Sequence, residues 1–107
     1  AQVFKAISMG NGYFKLVSQV GNRNKVVDVA GNKSANGANI LLYQDKNAIN
    51  QQFKFQHIEN GKFKIYTRVS NDKSVIEVKD GSMDSKANVQ QWESNSYSCQ
   101  QWILEEN

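Results

Sequence analysis

Short apolar stretches of four or five residues follow one another along the chain, separated by polar or glycine-containing segments. Within these stretches, β-branched and aromatic residues alternate in part with polar ones, a pattern typical of half-buried strands. No segment has the spacing of an amphipathic helix. The pattern therefore predicts an all-β protein, with strands at 13–17, 26–29, 39–43 and from Gln51, and again at 62–66, 75–78, 88–92 and from Gln100.

The strands recur with a fixed period, because residues 49 positions apart have matching character and the overlay needs no gap from Gly12 onward. The tetrad Asn-Gln-Gln-Phe at 50–53 returns as Cys-Gln-Gln-Trp at 99–102 and, in outline, as Ala-Gln-Val-Phe at 1–4. A period of this length indicates a repeat architecture. We predict a single domain over 1–107, divided into the remnant of a preceding repeat at 1–11, repeat unit one at 12–60 and repeat unit two at 61–107.

Polar and glycine-containing segments predict where the chain turns. Asn11-Gly12 and Asn60-Gly61 stand between strands at the two unit boundaries. Asn-Gly is the preferred sequence of a type I′ hairpin turn, so we predict a tight turn at both places. The polar segments 31–37 and 80–86 predict longer loops.

Four short strands in a unit of this length fit either a propeller blade or one third of a β-trefoil, and blades usually come in fours or more. Three features in register resemble the ricin B-type lectin family, which includes bacterial carbohydrate-binding modules associated with xylanases. They are the recurring Gln-x-aromatic motif, an acidic residue in the second strand and an aromatic residue in the third. The resemblance covers essentially the whole chain. It implies a β-trefoil of four-strand repeats, here two full repeats and the last strand of a third.

Composition narrows the function classes. A chain of 107 residues has room for one core, and its net charge of +3 comes from scattered lysines rather than a basic run, so neither nucleic acid nor membrane insertion is expected. Asn and Gln together number 23, which indicates a surface rich in amide donors and acceptors. One histidine, His57, and one cysteine, Cys99, are too few for a zinc site or a nucleophile with its base. We therefore predict a protein that is not an enzyme and has no metal or cofactor.

A constellation suited to sugar binding lies within unit one. A carboxylate accepts hydroxyl protons in charge-assisted hydrogen bonds, amides serve the other polar groups, and an aromatic ring offers a flat apolar face to a pyranose. In ricin-type modules the corresponding positions line a sugar pocket. The resemblance implies Asp28 as the hydroxyl acceptor, Tyr43 as the stacking platform, and Asn50 with Gln51 as amide partners.

Structural roles for the same residues remain open at this point. Asp28 could cap a turn, Tyr43 could be half-buried core, and Gln51 could bond only backbone groups. The aromatic residues of the Gln-x-aromatic motif, Phe53 and Trp102, are predicted to lie in the core rather than in a pocket.

The second unit keeps the outline of this site with changes. Glu77 stands for the aspartate, Trp92 for the tyrosine, and Gln100 for the glutamine, while Gln90 adds an amide where some family members have a sugar-contacting glutamine. Cys99 replaces Asn50, and a thiol is a poor hydrogen-bond donor. We predict that this second site binds sugar weakly or not at all.

The function implied by the resemblance is non-catalytic carbohydrate binding, with one shallow pocket per repeat for a galactoside, xyloside or related glycan. A lectin, or a module attached to a secreted glycoside hydrolase, would have this role, and the implied location is extracellular. The alternative is a protein-interaction β-trefoil, such as a protease inhibitor or a toxin-associated subunit. Because the first repeat is represented only by 1–11, we expect a fragment of a larger secreted protein, with a homo-oligomer or an incomplete barrel as alternatives.

Overall fold

The computed structural model describes residues 4–19, 25–79 and 88–103, and this part of the chain is built from strands joined by loops and short 3₁₀ turns. The all-β prediction is confirmed. The predicted loop at 80–86 lies outside the described residues. The strands are β1 (Phe4–Ser8), β2 (Phe14–Ser18), β3 (Lys25–Val29), β4 (Ile40–Gln44), β5 (Phe53–Glu59), β6 (Lys62–Thr67), β7 (Ser74–Val78), β8 (Val89–Glu93) and β9 (Trp102–Ile103).

Equivalent elements recur at the spacing seen in the sequence. The strands β3 and β7 begin and end 49 residues apart, and so do β4 and β8. The prediction that the fourth strand of each unit starts at the motif glutamine was wrong. Gln51 and Gln100 each end a 3₁₀ turn, and the strands begin two residues later at Phe53 and Trp102. The tight turn directs each glutamine side chain back into the protein, where both are buried.

All pairs in the sheet are antiparallel. The strands β1, β2, β5, β6 and β9 lie side by side in that order, while the hairpins β3–β4 and β7–β8 branch from β2 and β6 through single register pairs. Their inward side chains form one apolar core, made of Leu16, Val27, Val29, Ala38, Phe53, Ile65 and Ile76.

The two motif aromatics lie where the sequence predicts them. Phe53 is 0% exposed and lies in the core. Trp102 is partly buried against the same cluster, and its indole N–H donates to the Ile76 carbonyl at 2.9 Å.

The two Asn-Gly pairs form different turns. Asn60 and Gly61 both have positive φ (46° and 74°) and join β5 to β6, as a type I′ turn requires. The type I′ prediction for Asn11-Gly12 was wrong, because residues 9–13 form a longer loop between β1 and β2. There the Asn11 side chain accepts the Tyr13 backbone N–H at 3.0 Å, and only the glycines have positive φ.

A buried glutamine joins the two units. Gln91, on β8, is 0% exposed, and its side-chain amide donates to the carbonyls of Lys33 and Ala35 at 3.0 and 3.1 Å. Its backbone N–H and carbonyl bond Ala38 and Gly37, both at 2.8 Å. The loop after β3 is therefore held in place by a strand of the other unit. Within the residues described, no helix is long and apolar enough to cross a membrane.

Candidate functional site

The structure brings the four residues predicted for unit one to a single pocket of about 350 Å³. Asp28 lies on β3, Tyr43 on β4, and Asn50 and Gln51 on the 3₁₀ turn Ile49–Gln51. The remaining lining residues are Ala30, Gly31, Asn32, Leu41, Lys46 and Ala48.

Strand pairing explains how positions distant in sequence meet. The strands β3 and β4 pair antiparallel, so that Asp28 lies opposite Leu41 and Val26 lies opposite Tyr43. The chain then turns after β4, and the 3₁₀ turn returns to β3. Asp28 is polar within a valine-rich strand, yet it is only 5% exposed, because this turn covers it.

Both oxygens of the Asp28 carboxylate accept hydrogen bonds from side-chain amides. Asn50 donates to Oδ1 at 3.2 Å, and Gln51 donates to Oδ2 at 2.9 Å. Asn50 also donates to the Val29 carbonyl at 2.9 Å, which fixes its rotamer. A carboxylate can accept about four hydrogen bonds. Because Asn50 and Gln51 supply two, Asp28 can accept further hydrogen bonds from the pocket side.

Gln51 is fully engaged with the protein. Its amide nitrogen donates to Asp28 and to the Gln44 carbonyl at 2.8 Å, while its oxygen accepts the backbone N–H groups of Lys46 at 2.9 Å and Ala48 at 3.5 Å. The side chain is 1% exposed. Gln51 therefore positions Asp28 and closes the loop after β4. The alternative that Gln51 bonds only backbone groups does not account for its bond to the Asp28 side chain.

Tyr43 lies at the surface of the pocket with 47% of its area exposed. The ammonium of Lys46 lies 5.2 Å from the centre of its ring, within cation–π distance. Sequence reasoning did not identify Lys46, since the lysines are scattered and the equivalent position in unit two is Asn95. The pocket thus presents an aromatic surface and a cation beside a buried carboxylate.

The second unit repeats the carboxylate with different partners. Glu77 is 6% exposed, and its two oxygens accept the amides of Gln100 at 2.9 Å and Gln90 at 2.8 Å. Gln100 also donates to the Glu93 carbonyl and accepts the Asn95 N–H, as Gln51 does in unit one. Trp92 is partly exposed on β8. Gln90, which the sequence adds to this weaker second site, donates its amide to Glu77 and is 6% exposed.

Cys99 lies beside this second carboxylate, with its sulfur 4.0 Å from Glu77 Oε1. Burial, followed by the negative charge of Glu77, raises the pKa of the Cys99 thiol. The thiol therefore stays protonated near neutral pH and gives Glu77 a weaker donor than the Asn50 amide gives Asp28.

The described ranges contain no candidate metal centre. No group of three or more His, Cys, Asp or Glu side chains there could hold a metal ion. His57 lies exposed on β5 and packs edge-on against the Phe63 ring at 5.1 Å.

The unit-one pocket can accept hydrogen bonds from the hydroxyl groups of a ligand and can pack an aromatic ring against an apolar face of that ligand. Asp28 and the Asn50 oxygen, which no hydrogen bond among the described residues uses, provide the acceptors. Tyr43 provides the ring. Lys46 adds a charged donor at the rim.

Comparison with known proteins gives a family match. The family model described as "Ricin-type beta-trefoil lectin domain-like" matches residues 49–107. No curated protein matches the chain.

Solved structures share the fold over nearly the whole chain. ThreeFoil, a designed 3-fold symmetric protein, is 29% identical with a TM-score of 0.89, covering 97% of this chain and 71% of its own. The exo-β-1,3-galactanase 1,3Gal43A from Clostridium thermocellum is 28% identical with a TM-score of 0.86, over 94% of this chain and 21% of its own. A Polyporus squamosus lectin is 16% identical with a TM-score of 0.70, over 95% of this chain and 34% of its own, and shows the fold alone.

Proposed function

The chain belongs to the ricin-type β-trefoil lectin-like family, and from this premise we propose that it is a non-catalytic carbohydrate-binding module whose sugar pocket lies in unit one. The observation that carries the proposal is the buried Asp28 carboxylate, held by Asn50 and Gln51 at the base of a pocket whose wall includes the exposed Tyr43 ring. Such a site combines oriented acceptors with a stacking face.

Each residue has a distinct role in this proposal. Asp28 accepts two sugar hydroxyls, and Tyr43 covers the C–H face of the ring. Asn50 presents its oxygen to a further hydroxyl, while Gln51 acts as a positioning residue through its bond to Asp28 at 2.9 Å.

Galactosides are the first sugars to test, because part of an exo-β-1,3-galactanase is 28% identical to this chain. Xylosides and related glycans follow. A single shallow pocket gives weak binding, which attachment to a larger secreted protein or a multivalent glycan would strengthen.

The test is a sugar titration of the ¹⁵N-labelled protein by NMR. Shifts are expected near Asp28 and Tyr43 at millimolar sugar. Asp28→Asn keeps the shape of the side chain but removes its charge, and should weaken binding by roughly tenfold or more, since hydrogen bonds to charged groups contribute about 1.5–3 kcal/mol.

The matched control is Glu77→Gln, which makes the same change in unit two. Because Cys99 stands where unit one has Asn50, it is a weaker donor to Glu77 and has no amide oxygen to offer a sugar. Unit two is therefore proposed to be silent, and this variant should bind as the unchanged protein does. No response to galactosides, xylosides or glucans, with both variants folded, would contradict the proposal and favour a protein-interaction trefoil.

A further inference from the structure

Two lysines lie at the edge of the unit-one pocket, on different loops. Lys46 lines the pocket, and its ammonium lies 5.2 Å from the centre of the Tyr43 ring. Lys33 lies beside the pocket wall, because a Cβ placed on the lining residue Gly31 would be 3.2 Å from Lys33 Cε. Both lysines are exposed. A ligand in the pocket therefore has two cationic side chains near it.

The backbone at both lysines is held by buried glutamines. Gln51, which is 1% exposed, accepts the Lys46 backbone N–H at 2.9 Å. Gln91, which is 0% exposed, donates its side-chain amide to the Lys33 carbonyl at 3.0 Å. The lysine side chains are in solvent, but the core of the fold sets the positions from which they extend.

No described carboxylate neutralises either ammonium. The ion pairs among the described residues are Lys15–Asp45 and Lys54–Asp72. The carboxylate of the pocket itself, Asp28, is 5% exposed and already accepts two side-chain amides. The pocket therefore has one buried negative charge at its base and two positive charges at its edge.

These two lysines occur in unit one alone. The positions 49 residues after Lys33 and Lys46 hold Ser82 and Asn95. The buried carboxylate and its glutamine partner, by contrast, occur in both units. Because the repeat folds without these positive charges, they are not needed for the fold and are available to select a ligand.

We propose that the unit-one pocket selects an acidic sugar, whose C6 group is a carboxylate or a sulfate ester, and that Lys46, assisted by Lys33, determines this selectivity. The selectivity depends on the sugar binding proposed above for the same pocket. The ring hydroxyls face Asp28, while the C6 group extends beyond the ring and carries its negative charge to the lysines. An anionic group directed at Asp28 would be repelled, so the charges also select one orientation of the ring.

The test compares three matched ligands: methyl β-galactopyranoside, the galacturonide with a carboxylate at C6, and the galactoside with a sulfate ester at C6. Their Kd values are measured by NMR titration of the ¹⁵N-labelled protein at low ionic strength. At least one anionic ligand should bind about fivefold more tightly than the neutral one, the gain expected of a charge pair at an exposed rim. The tighter of the two identifies the source of the charge. In about 1 M NaCl, where the Debye length is about 3 Å, the preference should fall below about twofold.

Matched variants assign the preference to the lysines. Lys46→Gln removes the charge but keeps a hydrogen-bond donor, and should reduce the ratio of anionic to neutral affinity to within about twofold. Lys46→Arg keeps the charge and should retain the preference, while Lys33→Gln should reduce it in part. Lys73→Gln is the control, because it lowers the net charge by the same amount at an exposed position of unit two, and it should leave the ratio unchanged.

The outcomes separate this selectivity from sugar binding itself. Equal binding of all three ligands at the unit-one pocket would overturn the selectivity and leave the sugar site intact. A preference that Lys46→Gln does not reduce, or that Lys73→Gln reduces equally, would also overturn it, since the pocket lysines would then not be its cause. If none of the three ligands shifts the signals near Asp28 and Tyr43, the sugar site and its selectivity are both wrong.

Discussion

Asp28 is buried as a charge-bearing group because two amides compensate for the water it loses. Burying a carboxylate without partners is costly, and removing one partner of such a set leaves the others unpaired. Gln51 carries most of this arrangement, since it joins Asp28, the Gln44 carbonyl and the Lys46 N–H. Its role can be separated from direct sugar contact by measuring stability and binding on the same variant.

Gln51→Ala should lower the free energy of unfolding by about 3 kcal/mol, because several buried polar groups lose their partner and a cavity remains. Urea denaturation measures this. Gln56→Ala, at an exposed position of β5, is the matched control and should stay within about 0.5 kcal/mol. Unchanged stability with loss of sugar binding would instead make Gln51 a direct contact.

At the scale of elements, the hairpin β5–β6 depends on the backbone conformation of its turn. Gly61 has φ 74°, where a Cβ is strained although the space around it is open. The preceding Asn60 tolerates φ 46° because asparagine adopts the left-handed region more readily than other side chains.

Gly61→Ala should therefore destabilise the protein by about 1 kcal/mol through backbone strain alone. Thermal unfolding with Asn60 unchanged measures the effect. Because no neighbouring atom lies within 4 Å of the added methyl, a much larger loss would point to a change in strand register rather than to strain.

The strands, their period and the core position of Phe53 could be predicted from the sequence, because alternation and a gap-free repeat record which face is buried. The first residue of each motif strand could not be predicted, because the hydrophobic pattern does not reveal the 3₁₀ turn that contains Gln51. The Asn11-Gly12 loop was missed because Asn-Gly specifies a turn type only when two residues separate the strands. Lys46 was missed because its closeness to Tyr43 depends on the loop that Gln51 closes.

At the scale of the whole molecule, surface ion pairs set part of the response to acid. Lys15 bonds Asp45 at 2.7 Å, and this bond, with that of the Asn47 N–H, lowers the pKa of the Asp45 carboxyl from its ordinary value. A carboxyl whose pKa is lower in the folded state contributes stability above its unfolded pKa, near 4, and loses that contribution as pH falls through the folded value.

Asp45→Asn should therefore reduce the loss of stability between about pH 4 and pH 2, while lowering stability slightly at pH 7. Unfolding curves across this range measure it. If the stability of Asp45→Asn falls with pH as that of the unchanged protein does, the Lys15–Asp45 pair does not contribute to the loss of stability in acid.

The hydrogen bonds of Gln91 to the loop between Lys33 and Ala38 affect how the sequences of the two units can change in evolution. A duplicated gene ordinarily leaves one copy free to drift while the other keeps its function. Here a wall of the unit-one pocket continues into a loop anchored by a side chain of unit two. Substitutions in unit two at Gln91 are therefore expected to disturb the loop of unit one, whether or not unit two binds a ligand.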